Sequence, residues 1–185
     1  MKPKPVRTRY AWPLIGLHWL TFLLIAAVYA SAELSEAFPK GSAGRSTLRA
    51  GHEMLGLLVF GAVWLRLLVR ALSAAPPIQP APPPWQARLA TVAHLALYGL
   101  MIVLPFSGWL MLGAAGKPVP FFGWELPGLV APNRSLAEAL EEVHEVIASA
   151  GYALIGLHAA AALFHHYLLR DNTLRLMWPA LRAAR

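Results

Sequence analysis

Four long apolar segments restrict what this chain can fold into more than any other feature of its sequence. A helix needs about 20 apolar residues to cross the hydrocarbon core of a bilayer. The segments meet that length at roughly 11–32, 50–70, 88–113 and 137–169. Only 14% of the residues are charged, whereas soluble domains are about a quarter charged. The sequence therefore predicts an all-α fold, an integral membrane four-helix bundle, with residues 1–185 as one membrane domain.

The stretches between the apolar segments predict two different kinds of connection. Residues 71–85 are rich in proline, which predicts a stiff, extended linker rather than a helix. Residues 114–135 combine glycine, proline and aromatic residues, which predicts an irregular loop on the opposite side of the membrane. The run "SLAE" at 135–138 matches a capping box, so Ser135 is expected to cap the last helix with Glu138 as its partner.

The distribution of lysine and arginine predicts the orientation of the bundle, because cytoplasmic loops carry an excess of these residues. One side holds eleven: Lys2, Lys4, Arg7, Arg9, Arg66, Arg70, Arg88, Arg170, Arg175, Arg182 and Arg185. The other side holds five: Lys40, Arg45, Arg49, Lys117 and Arg134. We therefore expect a multi-pass membrane protein, with both termini and the 71–85 linker on the cytoplasmic side and the 114–135 loop on the opposite, outer side. Arg66 is expected to extend to the inner membrane surface.

The absence of cysteine limits the kinds of cofactor site that the chain can form. It excludes disulfides, thiolate-bound metals, cysteine-bound iron–sulfur clusters and covalently attached haem. The formal net charge of +7 would suit a nucleic acid, but the hydrophobic fraction of 57% favours a lipid bilayer as the partner instead. The seven histidines are consequently the main candidate metal ligands.

Two histidines of the fourth segment share a helix face at different depths. His144 and His158 are fourteen residues apart, which corresponds to about 40° around a helix axis and about 21 Å along it. A polar ring inside a span is costly and indicates function, although an interhelical hydrogen bond is the simpler interpretation of any one histidine. Gly151 lies midway on the same face and is interpreted as clearance for a bulky cofactor, with close helix packing as the alternative.

The depths of two further histidines complete a pair at each level. His52, at the start of the second segment, lies near the outer surface, as His144 does. His18 lies about 10 Å from the inner surface, at the depth of His158. Two facing imidazoles suit the iron of a b-type haem, whereas zinc needs four ligands at one point. The sequence therefore predicts two stacked b-type haems, with His52 and His144 as axial ligands of the outer haem and His18 and His158 as those of the inner haem.

His94 leaves one alternative open. It lies in the inner half of the third segment, at a depth like that of His18, and it could replace His18 or His158 as a ligand. The preferred interpretation is a hydrogen bond to a haem propionate or to a neighbouring helix. The reason is that the spacing of His144 and His158 already supplies one ligand for each haem.

Long stretches of the chain resemble the bacterial diheme cytochrome b561 family, among them "IGLHWLTFLLIAAVYA", "GHEMLGLLVFGAVWLRLLVR" and "GYALIGLHAAAALFHHYLLRDNTLRLM". The resemblance implies that the family's four haem ligands fall on His18, His52, His144 and His158. It also implies a protein of the bacterial inner (plasma) membrane, with the 114–135 loop periplasmic. The implied activity is that of an oxidoreductase in which superoxide gives an electron at the periplasmic haem. Ubiquinone then accepts electrons near the cytoplasmic haem, and oxygen and ubiquinol are the products.

The inner end of the fourth segment offers a candidate quinone ligand. His165 is seven residues beyond His158, so it lies on the same helix face near the membrane surface. A quinone needs a hydrogen-bond donor and a proton source, and histidine serves as both. The family position supports this role for His165. His166 points about 100° away and is the weaker candidate.

The outer side offers candidate residues for attracting superoxide, since a local positive field raises the encounter rate of a small anion. Arg45, Arg49 and Lys117 are the candidates, with solvated surface roles as the alternative. Another function is an electron-transfer subunit that links a periplasmic redox partner to the quinone pool. A third is a non-redox membrane protein whose histidines tie helices together, which predicts no haem.

Overall fold

Each of the four apolar segments forms a helix, and each helix extends beyond the predicted apolar run at one or both ends. The computed structural model describes residues 9–178. The helices are α1 (Trp12–Glu36), α2 (Ala43–Leu72), α3 (Pro84–Ala114), α4 (Arg134–Tyr167) and the short α5 (Thr173–Met177). The first four are long and apolar enough to cross a membrane. The predicted membrane four-helix bundle is therefore confirmed. Lys2, Lys4, Arg7, Arg182 and Arg185, used to predict the orientation, lie outside the described residues.

The second helix begins earlier than predicted because its capping residue lies before the apolar run. The Ser42 hydroxyl accepts a hydrogen bond from the backbone N–H of Arg45 at 3.3 Å, and α2 starts at Ala43. Serine is among the best residues for this position because its side chain satisfies a free N–H of the first turn. His52 therefore lies inside α2 rather than at its start.

The fourth helix also starts earlier than predicted, and the capping box at Ser135 is wrong. The side chain of Asn133 accepts a hydrogen bond from the backbone N–H of Leu136 at 3.1 Å, so Asn133 is the cap and Ser135 is helical. Glu138 pairs instead with Arg134, whose Nε lies 2.8 Å from its carboxylate one turn earlier. Asparagine and serine cap helices about equally well, and here the upstream residue has the extended backbone that a cap requires.

The helices are arranged as two antiparallel pairs, α1 with α2 and α3 with α4, and α2 also packs against α3. Val59, Val63 and Met101 form a buried cluster where α2 meets α3. The connection between α1 and α4 is made by long side chains: the Tyr29 hydroxyl donates to the carbonyl of Ala148 at 2.9 Å. This arrangement leaves space between the pairs where side chains from different helices face one another.

The proline-rich linker forms neither helix nor strand from Ser73 to Pro83, and it is attached to the chain beyond α4. Asn172 makes this attachment: its side-chain oxygen accepts from the Gln79 N–H at 2.8 Å, and its own N–H donates to the Gln79 carbonyl at 3.1 Å. The linker is not helical, as predicted. Its attachment holds the linker beside the C-terminal end of α4.

The outer loop contains a short hairpin that the sequence analysis missed. Strands β1 (Val119–Phe121) and β2 (Trp124–Leu126) pair in antiparallel register. The turn residues Phe122 and Gly123 both have positive φ, at 49° and 86°, the conformation of a tight two-residue hairpin turn. Val119 is buried against α2, which places the hairpin over the outer end of the bundle.

Candidate functional site

The two histidines predicted as outer haem ligands face each other across a large cavity. The ring centres of His52 on α2 and His144 on α4 are 6.3 Å apart. Both rings line a cavity of about 520 Å³ that opens toward the outer ends of the helices. The structure therefore brings this predicted pair together.

Hydrogen bonds hold both outer imidazoles by the same nitrogen. Nδ1 of His52 donates to the Val28 carbonyl at 3.1 Å. Nδ1 of His144 lies 3.0 Å from the Ser107 hydroxyl, which itself donates to the Leu104 carbonyl and so accepts from the ring. In each neutral ring Nε2 is then the nitrogen with a free lone pair, as an axial iron ligand requires.

The separation of the two rings also fits a shared iron. With about 2 Å from each nitrogen to a common metal and about 1.1 Å from that nitrogen to its ring centre, the two centres come to lie about 6.2 Å apart. The observed separation is 6.3 Å. The residues of the outer site fit a bis-histidine haem.

The predicted inner pair has the same separation but a much smaller cavity. The ring centres of His18 on α1 and His158 on α4 are 6.3 Å apart. His94 on α3 lies beside them, with its ring centre 5.6 Å from that of His158. These three histidines line a cavity of about 80 Å³. The spacing fits a bis-histidine haem at this level too, and His94 stays open as an alternative ligand because it reaches the same partner.

Arg66 does not extend to the membrane surface as predicted. Its side chain turns inward, and Nη2 lies 2.9 Å from Nδ1 of His18. The guanidinium also lies over the Tyr98 ring, 5.4 Å from the ring centre, where a cation is attracted by the face of the aromatic ring. These two partners hold the charge inside the span, and sequence analysis underrated this residue.

Gly151 provides room for a side chain rather than for a cofactor. It is buried, and a Cβ built on it would overlap the Tyr29 hydroxyl and lie 3.3 Å from Leu100. The prediction of cofactor clearance is therefore wrong, and the alternative of close helix packing is the observed role. Glycine is needed because Tyr29 reaches across from α1 to bond to the backbone of α4.

Replacing Gly151 with alanine is expected to lower stability by about 1–3 kcal/mol, because the added methyl group displaces Tyr29 from a filled site. Thermal unfolding in detergent would measure the loss. Gly156→Ala is the matched control, since a Cβ at this position of the same helix meets nothing within 4 Å. Combining Gly151→Ala with Tyr29→Phe should recover part of the loss, and equal destabilisation by the two glycine variants would contradict this role.

His165 is held by a carboxylate that sequence analysis missed. Its Nδ1 lies 2.5 Å from Oδ2 of Asp171, a residue that is only 5% exposed. The other carboxylate oxygen of Asp171 accepts from the Thr173 N–H at 2.8 Å. The signal was an acid in "RDN", six residues beyond His165, at a point where the chain turns back. His165 and Asp171 therefore form a hydrogen-bonded pair at the inner end of α4.

Two opposing effects determine the protonation of Asp171. Burial raises the pKa of its carboxyl, but hydrogen bonds from His165 and Thr173 outweigh burial and leave the pKa below its ordinary value. A lowered folded-state pKa stabilises the fold at pH values above the unfolded pKa of about 3.9, and this contribution is lost as the pH falls through the folded pKa. The Asp171 carboxyl is thus ionised at neutral pH and available as a hydrogen-bond acceptor.

His166, Trp19 and Trp178 have different surroundings from His165. Nδ1 of His166 is buried without a hydrogen-bond partner among the described residues, and its ring packs on Tyr167. Trp178 packs edge-on against Trp19, whose indole N–H donates to the Met177 carbonyl at 2.8 Å. None of these contacts links His166 to the His165–Asp171 pair.

The three cations predicted to attract superoxide differ in their solvent exposure and in their ion pairs. Arg45 is buried and bonds to Glu36 at 2.5 Å and to the Phe38 carbonyl at 3.2 Å. Arg49 is more exposed, lies 3.3 Å from Glu36 and lines the outer cavity. Lys117 is exposed on the outer loop. Arg45 is therefore a structural ion-pair partner, and Arg49 is the candidate that reaches the cavity.

Carboxylates outnumber cations around the outer cavity. Among the described residues that line it, Arg49 is the single lysine or arginine. The acidic residues that line it are Glu33, Glu36, Glu53, Glu141 and Glu145. Glu33 accepts a hydrogen bond from Tyr152 at 2.6 Å. The charge around this cavity is thus mainly negative.

Comparison with known proteins assigns nearly the whole chain to one protein family. Residues 9–180 match the family model described as prokaryotic cytochrome b561. The chain is 39% identical over 171 residues to "Cytochrome b561 homolog 1" of Escherichia coli (strain K12), covering 92% of this chain and 97% of that protein. It is 37% identical over 174 residues to "Probable superoxide oxidase CybB" of Yersinia pestis, covering 94% and 98%. It is 28% identical over 170 residues to "Cytochrome b561 homolog 2" of Escherichia coli (strain K12), covering 91% and 90%.

Proposed function

Because this chain belongs to the prokaryotic cytochrome b561 family, a family of membrane electron-transfer proteins that bind b-type haem, we propose that it oxidises superoxide at its outer side and reduces ubiquinone at its inner side. Two superoxide anions each give one electron and become two oxygen molecules. One ubiquinone takes up both electrons and two protons and becomes ubiquinol. We place the protein in the bacterial inner membrane, with both termini in the cytoplasm.

The two equal histidine pairs are the observation that supports this route for electrons. Each pair has ring centres 6.3 Å apart, and α4 contributes one histidine to each. The outer haem is assigned to His52 and His144, and the inner haem to His18 and His158. When bound, each haem would take up and release single electrons. The fourteen residues between the ligands on α4 separate the two levels by about 21 Å, so the pairs span much of the bilayer core.

The His165–Asp171 pair supports ubiquinone reduction at the inner end. Asp171 holds Nδ1 of His165, which leaves Nε2 for a hydrogen bond to a quinone carbonyl. A carboxylate behind a histidine orients the ring, and an imidazole can bind and release a proton. His165 can therefore take a proton from the cytoplasm and pass it on. This pair is assigned the roles of orienting the quinone and supplying its protons.

Superoxide is assigned as the donor on the strength of the relative called a probable superoxide oxidase and of two outer cations. Arg49 lines the cavity that holds His52 and His144, and Lys117 is exposed on the outer loop. A one-electron transfer from a small anion needs only an approach to the outer haem, and Arg49 supplies a local positive charge that would attract the anion.

The acidic lining of the outer cavity favours a second candidate, an electron-transfer subunit that accepts electrons from a periplasmic redox protein. Five glutamates against one arginine would repel an anion and attract a positively charged surface. In this alternative the inner end works as before and delivers electrons to the quinone pool. The two candidates differ in the charge of the donor, which gives a direct test.

The test mixes the purified, oxidised protein with one electron donor at a time in a stopped-flow instrument. The haem absorption is followed at low and at near-physiological salt. Fast reduction by a superoxide pulse, followed by reoxidation on addition of ubiquinone, is expected for the proposed function. Because the lining is mainly negative, salt should increase the rate with superoxide and decrease it with the cationic radical of methyl viologen. Steering of this kind changes rates by about 10-fold or more.

Substituting Arg49 provides the control for a local attraction. Arg49→Gln should be reduced by superoxide more slowly than the wild type, since it lacks the cation that lines the cavity. Its reduction by the methyl viologen radical should be no slower than that of the wild type. Slow or absent reduction by superoxide, with haem bands intact, would contradict the proposed donor and support the subunit.

A further inference from the structure

Arg66 is a charged side chain inside the span with hydrogen-bonding capacity that the protein leaves unused. One terminal nitrogen, Nη2, contacts Nδ1 of His18 at 2.9 Å. Nε is buried and has no hydrogen-bond partner among the described residues. Burying an arginine without an anionic partner is costly, most of all at membrane depth. The free donor therefore indicates a missing acceptor.

The contact with His18 is incompatible with His18 as an iron ligand. A guanidinium only donates hydrogen bonds, so Nδ1 of His18 must accept here. A neutral imidazole that accepts at Nδ1 carries its proton on Nε2 and has no lone pair there for iron. The outer ligands have the opposite arrangement, since His52 donates from Nδ1 to a carbonyl. Ligation by His18 therefore requires Arg66 to move to another acceptor.

The surroundings of Arg66 contain no side-chain anion that could replace His18. The described residues that line the inner cavity include three histidines, Thr21 and Tyr98 but no aspartate or glutamate. A b-type haem brings two carboxylates of its own, the propionates. A propionate matches the paired N–H groups of a guanidinium, which bind carboxylates in a bidentate manner.

We propose that Arg66 binds a propionate of the inner haem and thereby releases Nδ1 of His18, so that His18 can ligate the iron. This inference rests on the proposed inner haem but not on the identity of the electron donor or acceptor. In the bound state Arg66 anchors the cofactor and supplies the positive charge nearest to it. The face of Tyr98 keeps the guanidinium at this depth.

The test is a redox titration of the intact protein, combined with a haem count per chain, for Arg66→Gln. A nearby positive charge favours the reduced haem, because reduction adds an electron. Its loss should lower the midpoint potential of the inner haem, or release that haem, and leave the outer haem unchanged. Arg66→Lys keeps the charge but not the bidentate geometry, and it should retain the inner haem with a midpoint between those of the wild type and Arg66→Gln.

Arg70→Gln is the matched control, since it removes an exposed arginine one turn further along the same helix. It should change the midpoint potential of the inner haem less than Arg66→Gln does, and it should leave that of the outer haem at its wild-type value. If both haems of Arg66→Gln keep their wild-type midpoint potentials, the inference is overturned. Equal loss of the inner haem in the glutamine and lysine variants would also overturn it, because the defect would then lie in packing and not in charge. A wild-type protein without an inner haem would instead refute the haem assignment itself.

Discussion

Replacing His144 with alanine is expected to remove the outer haem and to leave the inner haem in place. His144 is one of two imidazoles whose rings are 6.3 Å apart across the outer cavity, so its loss leaves a single axial ligand. The inner pair is about 21 Å away along α4, too far to be disturbed directly. Haem content should fall from two per chain to one, and a redox titration should show one wave instead of two.

His52→Ala is the companion variant, and it should produce the same loss because it removes the opposite ligand. His94→Ala is the matched control that also resolves the open alternative at the inner level. If His18 and His158 are the inner ligands, His94→Ala should keep both haems, although its ring lies 5.6 Å from that of His158. Unchanged haem content in both outer variants would refute the outer pair.

Replacing His165 with phenylalanine is expected to slow reoxidation of the reduced protein by ubiquinone by about 100-fold or more, the usual size of a general acid–base contribution. The ring keeps its bulk but can neither donate a hydrogen bond to the quinone nor pass a proton to it. Haem content and the rate of reduction from the outer side should not change. Stopped-flow mixing of reduced protein with a short-chain ubiquinone analogue would measure the effect.

His166→Phe is the matched control, one residue further along the same helix and without a contact to Asp171 among the described residues. It should reoxidise at the wild-type rate. Asp171→Asn should give an intermediate loss, about 10-fold to 100-fold, because it keeps the shape of the pair but not the charge that orients His165. Wild-type rates in both His165→Phe and Asp171→Asn would exclude this pair from quinone reduction.

The bundle was predictable from sequence because membrane-spanning helices are determined by local composition. The four apolar runs predicted the four long helices that the structure contains, and the family resemblance is confirmed by a match over residues 9–180. For the helices themselves, the errors lie at their ends. Ser135 was predicted as a cap because it follows a known pattern, but Asn133 lies earlier in the chain and makes the capping bond.

The histidine pairs were predictable for a related reason. The rise and turn of a helix are constant, so the positions of His144 and His158 on one face, and the depth of each, follow from the sequence numbers alone. The structure brings His52 to His144 and His18 to His158 at equal ring separations. Their assignment as haem ligands stays a prediction that the alanine variants test.

Sequence alone determined the number of spans and the two depths at which histidines occur, because each depends on residues that are neighbours along one helix. Only the tertiary structure decided that Arg66 turns toward His18, that Tyr29 fills the space at Gly151 and that Asp171 holds His165. It also decided that glutamates line the outer cavity. These contacts join different helices or chain segments. They depend on how each helix is rotated and how each loop folds back, which no local pattern of residues specifies.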